Sequence, residues 1–128
     1  MRTAAGRDHQ ARTSFDTAST GTGAYASARF VAVTENATAP ADGDTALTGE
    51  LTASGFARAS AAYAHTLGAT TTTLTLTMTS SDATTRTLQK LAIFNAASAG
   101  TMAYSTAIPS PPTLVSGDAV TFTSTITM

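Results

Sequence analysis

Thr70-Thr71-Thr72-Thr73-Leu74-Thr75-Leu76-Thr77-Met78-Thr79 puts Leu74, Leu76 and Met78 on one parity and Thr73, Thr75, Thr77 and Thr79 on the other. Successive side chains of an extended chain point to opposite sides, so this alternation predicts a β-strand with one buried apolar face and one hydroxylated face. Threonine suits the outer face, because its branched Cβ favours extended backbone and its hydroxyl accepts either water or a partner. The pattern returns where Val120, Phe122, Ser124, Ile126 and Met128 alternate with Thr121, Thr123, Thr125 and Thr127. Two such strands point to a sheet protein made for contact.

Working outward, Arg29-Phe30-Val31-Ala32-Val33 predicts a first strand over 28–34, followed by a loop at 36–44 marked by Pro40, Gly43, Asp42 and Asp44. Residues 45–53 fit either a short strand or a single turn. From Phe56 to Thr66, alternation sets Ala57, Ala59, Ala61 and Tyr63 against Arg58 and Ser60, which reads as one strand. Gly68 turns the chain into the Thr-rich strand, and Ser80-Ser81-Asp82 turns it back as in a hairpin. Residues 87–95 and 101–108 supply two more strands, and Pro109, Pro111 and Pro112 block regular pairing between the latter and the last strand, 119–128. Six or seven short strands without a long helix predict an all-β fold, an antiparallel β-sandwich or small barrel. Residues 1–24 read as an N-terminal arm ending in Gly21-Thr22-Gly23, whose stretch from Arg7 to Phe15 has too few apolar positions at helical spacing to anchor a short helix alone and is expected to order against something else, and residues 25–128 read as the β-domain.

Of 128 residues, 28 are Thr and 27 Ala, and only 12% are charged against about 25% in an average domain. There is no Trp, and a core of Leu, Val, Ile, Met and Ala with five Phe and three Tyr is thin for this length, which favours homo-oligomerisation. The net charge of -1 is spread along the chain, so no basic patch invites nucleic acid. No run approaches the roughly 18 apolar residues that span a bilayer. The start, Met1 to Asp8, lacks an apolar signal-peptide stretch, so synthesis in a cytoplasm is expected.

Chemistry-bearing groups are sparse. Cysteine is absent and His9 and His65 are the only histidines, which leaves no thiolate chemistry and no three-histidine metal site. Ser60, His65 and Asp82 form a triad only by arbitrary choice among many serines. Asp42-Gly43-Asp44, with Glu35 or Glu50, falls short of a calcium loop's ligand register. Gly21-Thr22-Gly23 is too short for a phosphate loop, and Asn36-Ala37-Thr38 is a glycosylation triplet without a secretion signal. Ranks of outward threonines also occur on ice-binding surfaces, but here no internal repeat stacks them. The expectation is a non-enzyme with no catalytic residues, no cofactor and no metal.

The segments Ala5-Gly6-Arg7-Asp8, 39–51, Gly55-Phe56-Ala57-Arg58-Ala59, Tyr63-Ala64-His65-Thr66, 94–102 and Leu114-Val115-Ser116-Gly117-Asp118 resemble small virion structural proteins of tailed bacteriophages, including those labelled tail-fibre proteins. The resemblance spans nearly the whole chain. It implies a structural role at the outer virion surface, foremost as a capsid decoration or cement protein bound to the major capsid protein, often as a trimer. A tail-fibre or baseplate module bound to tail proteins is the alternative within that family picture. In the decoration reading, Phe15 is an apolar anchor and Arg2, Arg7 and Arg12 meet acidic patches of the partner. A receptor-binding, lectin-like module is a further alternative, with Tyr25, Tyr63 or Tyr104 stacking on sugar rings.

Overall fold

A computed structural model describes residues 3–5, 11, 14–15 and 27–128. Among these residues nine strands follow in order: β1 (Phe30–Thr34), β2 (Ala59–Ser60), β3 (Ala62–Ala64), β4 (Thr71–Thr79), β5 (Arg86–Thr87), β6 (Lys90–Phe94), β7 (Met102–Ala107), β8 (Thr113–Leu114) and β9 (Ala119–Thr127). They form an antiparallel four-stranded sheet, β2-β1-β6-β7, a three-stranded sheet, β3-β4-β9, and a two-strand ladder, β5-β8. The two larger sheets share one core, giving a β-sandwich, not a closed barrel.

The alternation of β4 decides what enters that core. Leu74 and Met78 are buried and Leu76 is half-buried, while Thr77 and Thr79 are exposed. Val31 and Val33 of β1, Leu91 and Ile93 of β6, Phe56 and Leu88 meet them there, with Val120, Phe122 and Ile126 of β9 partly buried against the same cluster. Burial of such side chains, at about 25 cal/mol per Å², is the main force joining the sheets.

β6 is buried at all five positions, because its second face is covered too. Ala32, Ala92 and Phe94 turn away from the main core and pack with Leu47 of the 35–53 segment. Thr34 fastens this cover: its hydroxyl lies 2.8 Å from the Thr48 carbonyl and accepts from the Asn36 amide at 3.1 Å. The ambiguous 45–53 segment thus forms no strand, only a bridge from Glu50 to Thr34.

Two expected connections differ. The single strand expected over 56–66 divides at Ala61, so that β2 joins one sheet and β3 the other. Ala61 is buried and its amide donates to the Arg29 carbonyl at 2.8 Å, which makes this a corner where the chain changes sheets. The hairpin involving β4 forms through Gly68 with β3, whereas Ser80-Ser81-Asp82 carries the chain away to β5 of the two-strand ladder. The site beside β4 is filled by β9, in nine-residue register from Thr71 opposite Thr127 to Thr79 opposite Ala119.

Candidate functional site

The longest strands, β4 and β9, build an outward face from their threonines. Register sets Thr71 opposite Thr127, Thr73 opposite Thr125, Thr75 opposite Thr123 and Thr77 opposite Thr121. The Thr77 and Thr121 hydroxyls are 2.7 Å apart, and Ala62 and Ala64 of β3 continue the face beside Thr75 and Thr73. The surface carries no charge, and its side chains are short and stiff at χ1. Chemically it presents hydroxyls that donate and accept, separated by methyl groups.

A second feature is a cleft of about 220 Å³ along the side of the sandwich. β7 is an edge of one sheet and β9 an edge of the other. Tyr104 lies opposite Ile93, and Thr106 opposite Leu91, so both share the core-facing side of β7. β9 does not fully cover them: Tyr104 remains 44% exposed. Leu91, Ile108 and Phe122 line the cleft together with Tyr104, Thr106 and Ser124.

The buried and half-buried charges serve architecture. Arg58 binds Glu50 through two bonds, Nε to Oε1 at 2.6 Å and Nη2 to Oε2 at 2.8 Å. Its Nη1 donates to the Ala96 and Ala99 carbonyls at 3.2 and 2.7 Å. The guanidinium also stacks 3.5 Å from the centre of the Phe94 ring, so one side chain holds the 96–100 turn, Glu50 and the outer face of β6 together. Buried Lys90 donates to the Thr38 carbonyl at 3.1 Å, adding a further tie to the covering segment.

Arg86 is gripped by Asp82 at 2.8 Å and Glu35 at 3.0 Å. The Asp82 carboxylate also accepts from the Thr84 amide at 2.9 Å; that bond first, and then Arg86, hold its pKa below the ordinary value, and both acids raise that of Arg86. A carboxyl lowered on folding stabilises fully above its unfolded pKa of about 3.9 and loses that contribution as pH falls through the lower folded value. Melting temperatures of wild type and Asp82→Asn should therefore differ by a constant gap from neutrality to about pH 5 that narrows below about pH 4. A gap that widens on acidification would refute this assignment.

The residues singled out in the sequence scatter. Phe15 is half-buried against the main core of its own chain, and the nearby Ser14 carbonyl accepts from the Ala28 amide at 2.6 Å. The side chain named as a partner anchor thus packs within this domain. Arg2, Arg7 and Arg12, and Tyr25, lie outside the described residues. Asp44 accepts from the Ala41 amide at 2.9 Å and so closes its own turn; among the described residues no three His, Asp or Glu gather as metal ligands. The carboxylate of Asp82 is engaged by Arg86 and the Thr84 amide, and the His65 ring nitrogen Nδ1 is 3.0 Å from the Thr71 carbonyl. The cleft was not foreseen, since it depends on how edges of two different sheets come to face each other. Compared with known proteins, the chain matches no family model, no curated protein and no solved structure.

Proposed function

We propose that this chain is a non-enzymatic structural protein of a tailed-bacteriophage virion, and that it seats on the head as a decoration protein against the major capsid protein. The carrying observation is the in-register threonine face of β4 and β9. Such a face docks at low cost: its side chains have little rotamer freedom to lose, it has no charge to strip of water, and every hydroxyl adapts as donor or acceptor. Shell contact falls to this face, with Arg2, Arg7 and Arg12 as additional contacts to acidic patches; Phe15 is already engaged by its own core. The virion assignment itself draws on the sequence resemblance.

Antibody-gold labelling of purified particles from the phage or prophage that encodes the chain tests the proposal. Label over the heads is expected. Label at the tail would establish the fibre or baseplate alternative, and particles free of the protein would overturn a virion role. The 44% exposure of Tyr104 on the cleft wall favours one second reading, a lectin-like site in which this ring stacks on a sugar. Glycan-array binding lost in Tyr104→Ala would support it.

A further inference from the structure

We propose that β9 pairs with β9 of a second copy, joining two three-stranded sheets into one six-stranded sheet across a twofold axis. Natural sheets guard their edges with short strands, bulges, prolines or charges. Three of the four edges of the two main sheets are guarded in this way. β2 has two residues and β3 three. β7 has a register shift at Ile93/Phe94 and is followed closely by Pro109.

β9 has none of these protections. It runs nine residues, pairs with β4 without interruption, and contains no Lys, Arg, Asp, Glu or Pro. Among the described residues no strand pairs with its outer edge, where Thr121, Thr123 and Thr125 are exposed.

The sequence of β9 selects a second copy as that strand. Antiparallel pairing about an axis at Thr123 sets Thr121 opposite Thr125, Val120 opposite Ile126, and Phe122 opposite Ser124. Parity is preserved, so threonines meet threonines on the outer face, while on the inner one Val120 meets Ile126 and Phe122 packs over the small Ser124. A one-residue slip would set the apolar row of each strand against the outer rank of the other. The strand offers no charge with which to choose a charged partner. The incoming inner row also extends over the side cleft, where Tyr104 is 44% exposed and Phe122 half-buried. An isologous interface of this kind closes at two chains.

The pairing depends on the chain's own edge and not on the virion reading, so it is tested on purified full-length protein by analytical ultracentrifugation. Wild type should sediment at twice the chain mass of 12.9 kDa. Thr123→Lys and Thr123→Glu each place like charges opposite one another at the axis and should sediment at the single-chain mass. An equimolar mixture of the two should return to the double mass. Thr77→Lys lies on the same outer face but on the inner strand β4, and should keep the double mass. All four substitutions or mixtures are checked for wild-type circular dichroism, and the exposed positions keep the core unchanged. Wild type at one or three chain masses would overturn the pairing. So would a Thr123→Lys protein that stays at double mass, a mixture that stays at single mass, or loss of association through Thr77→Lys alone.

Discussion

Leu74→Asp is expected to abolish cooperative folding, whereas Thr77→Asp, three residues along the same strand, is expected to leave a folded domain. Leu74 is 1% exposed and central to the main core. Removing its side chain costs about 2–5 kcal/mol by analogy with truncation in other cores, and an unpaired buried carboxylate adds several kcal/mol more. Together these match the 5–15 kcal/mol that holds a typical domain folded. Thr77 is exposed and loses only its contact to the Thr121 hydroxyl, so its replacement should cost about 1 kcal/mol, the span of strand propensity. Thermal melts followed by circular dichroism separate the two. A wild-type melt for Leu74→Asp would show the parity of β4 to be inverted.

Gly55→Ala is the second large effect. Gly55 has a φ of +89°, next to Ser54 at +59°, in the tight turn that delivers Phe56 to the core. A Cβ there would fall on the Thr79 carbonyl, at the end of β4 where the Ser81 amide also donates to the Ser54 carbonyl at 3.0 Å. The backbone conformation alone costs an L-residue about 1–3 kcal/mol. The clash is with main chain, so either the end of β4 or Phe56, itself 1% exposed, must move. Expected loss is about 4 kcal/mol or more, combining that strain with partial loss of a buried aromatic. Gly68 supplies the control: its φ is +83°, but a Cβ there meets nothing within 4 Å, so Gly68→Ala should cost the backbone strain alone, about 1–3 kcal/mol. Urea midpoints for the two variants that coincide would remove the close approach at Thr79 as a determinant of the fold.

The strands that alternate cleanly were legible, because parity is a local property. β4 and β9 lie within the predicted runs and turn the predicted side to the core, β4 burying Leu74 and Met78 and β9 half-burying Val120, Phe122 and Ile126. Pairing is not local, and there the reading thinned. Nothing near Ser80 reveals that β9 occupies the place beside β4, and nothing near Ala61 marks a change of sheet, since alanine tolerates both settings. Lys90 opens a strand buried on both faces, a position that a sequence pattern assigns to an apolar residue; the Thr38 carbonyl that receives its ammonium is 52 residues away. The threonine face was visible as two separate ranks, but only pairing sets them side by side. Phe15, an apolar anchor toward the partner in the decoration reading, finds its cover in a core assembled from distant strands.

The pairing of β4 with β9 also constrains how the chain is made. Partners from Thr79 and Ala119 to Thr71 and Thr127 are separated by about 40 to 56 residues, a span whose closure entropy must be met before the contact rewards it. In chain order β4 precedes β9, and β5 to β8 lie between them, so until β9 follows, the edge of β4 opposite β3 has no partner strand. A nine-residue strand left open that long is an aggregation hazard. Threonine at every second position halves its apolar surface during the wait, and the same side chains become the finished outer face once β9 arrives. The hydroxyl rank thus limits the apolar surface of β4 while its partner edge is open, as well as forming the outer face of the folded chain.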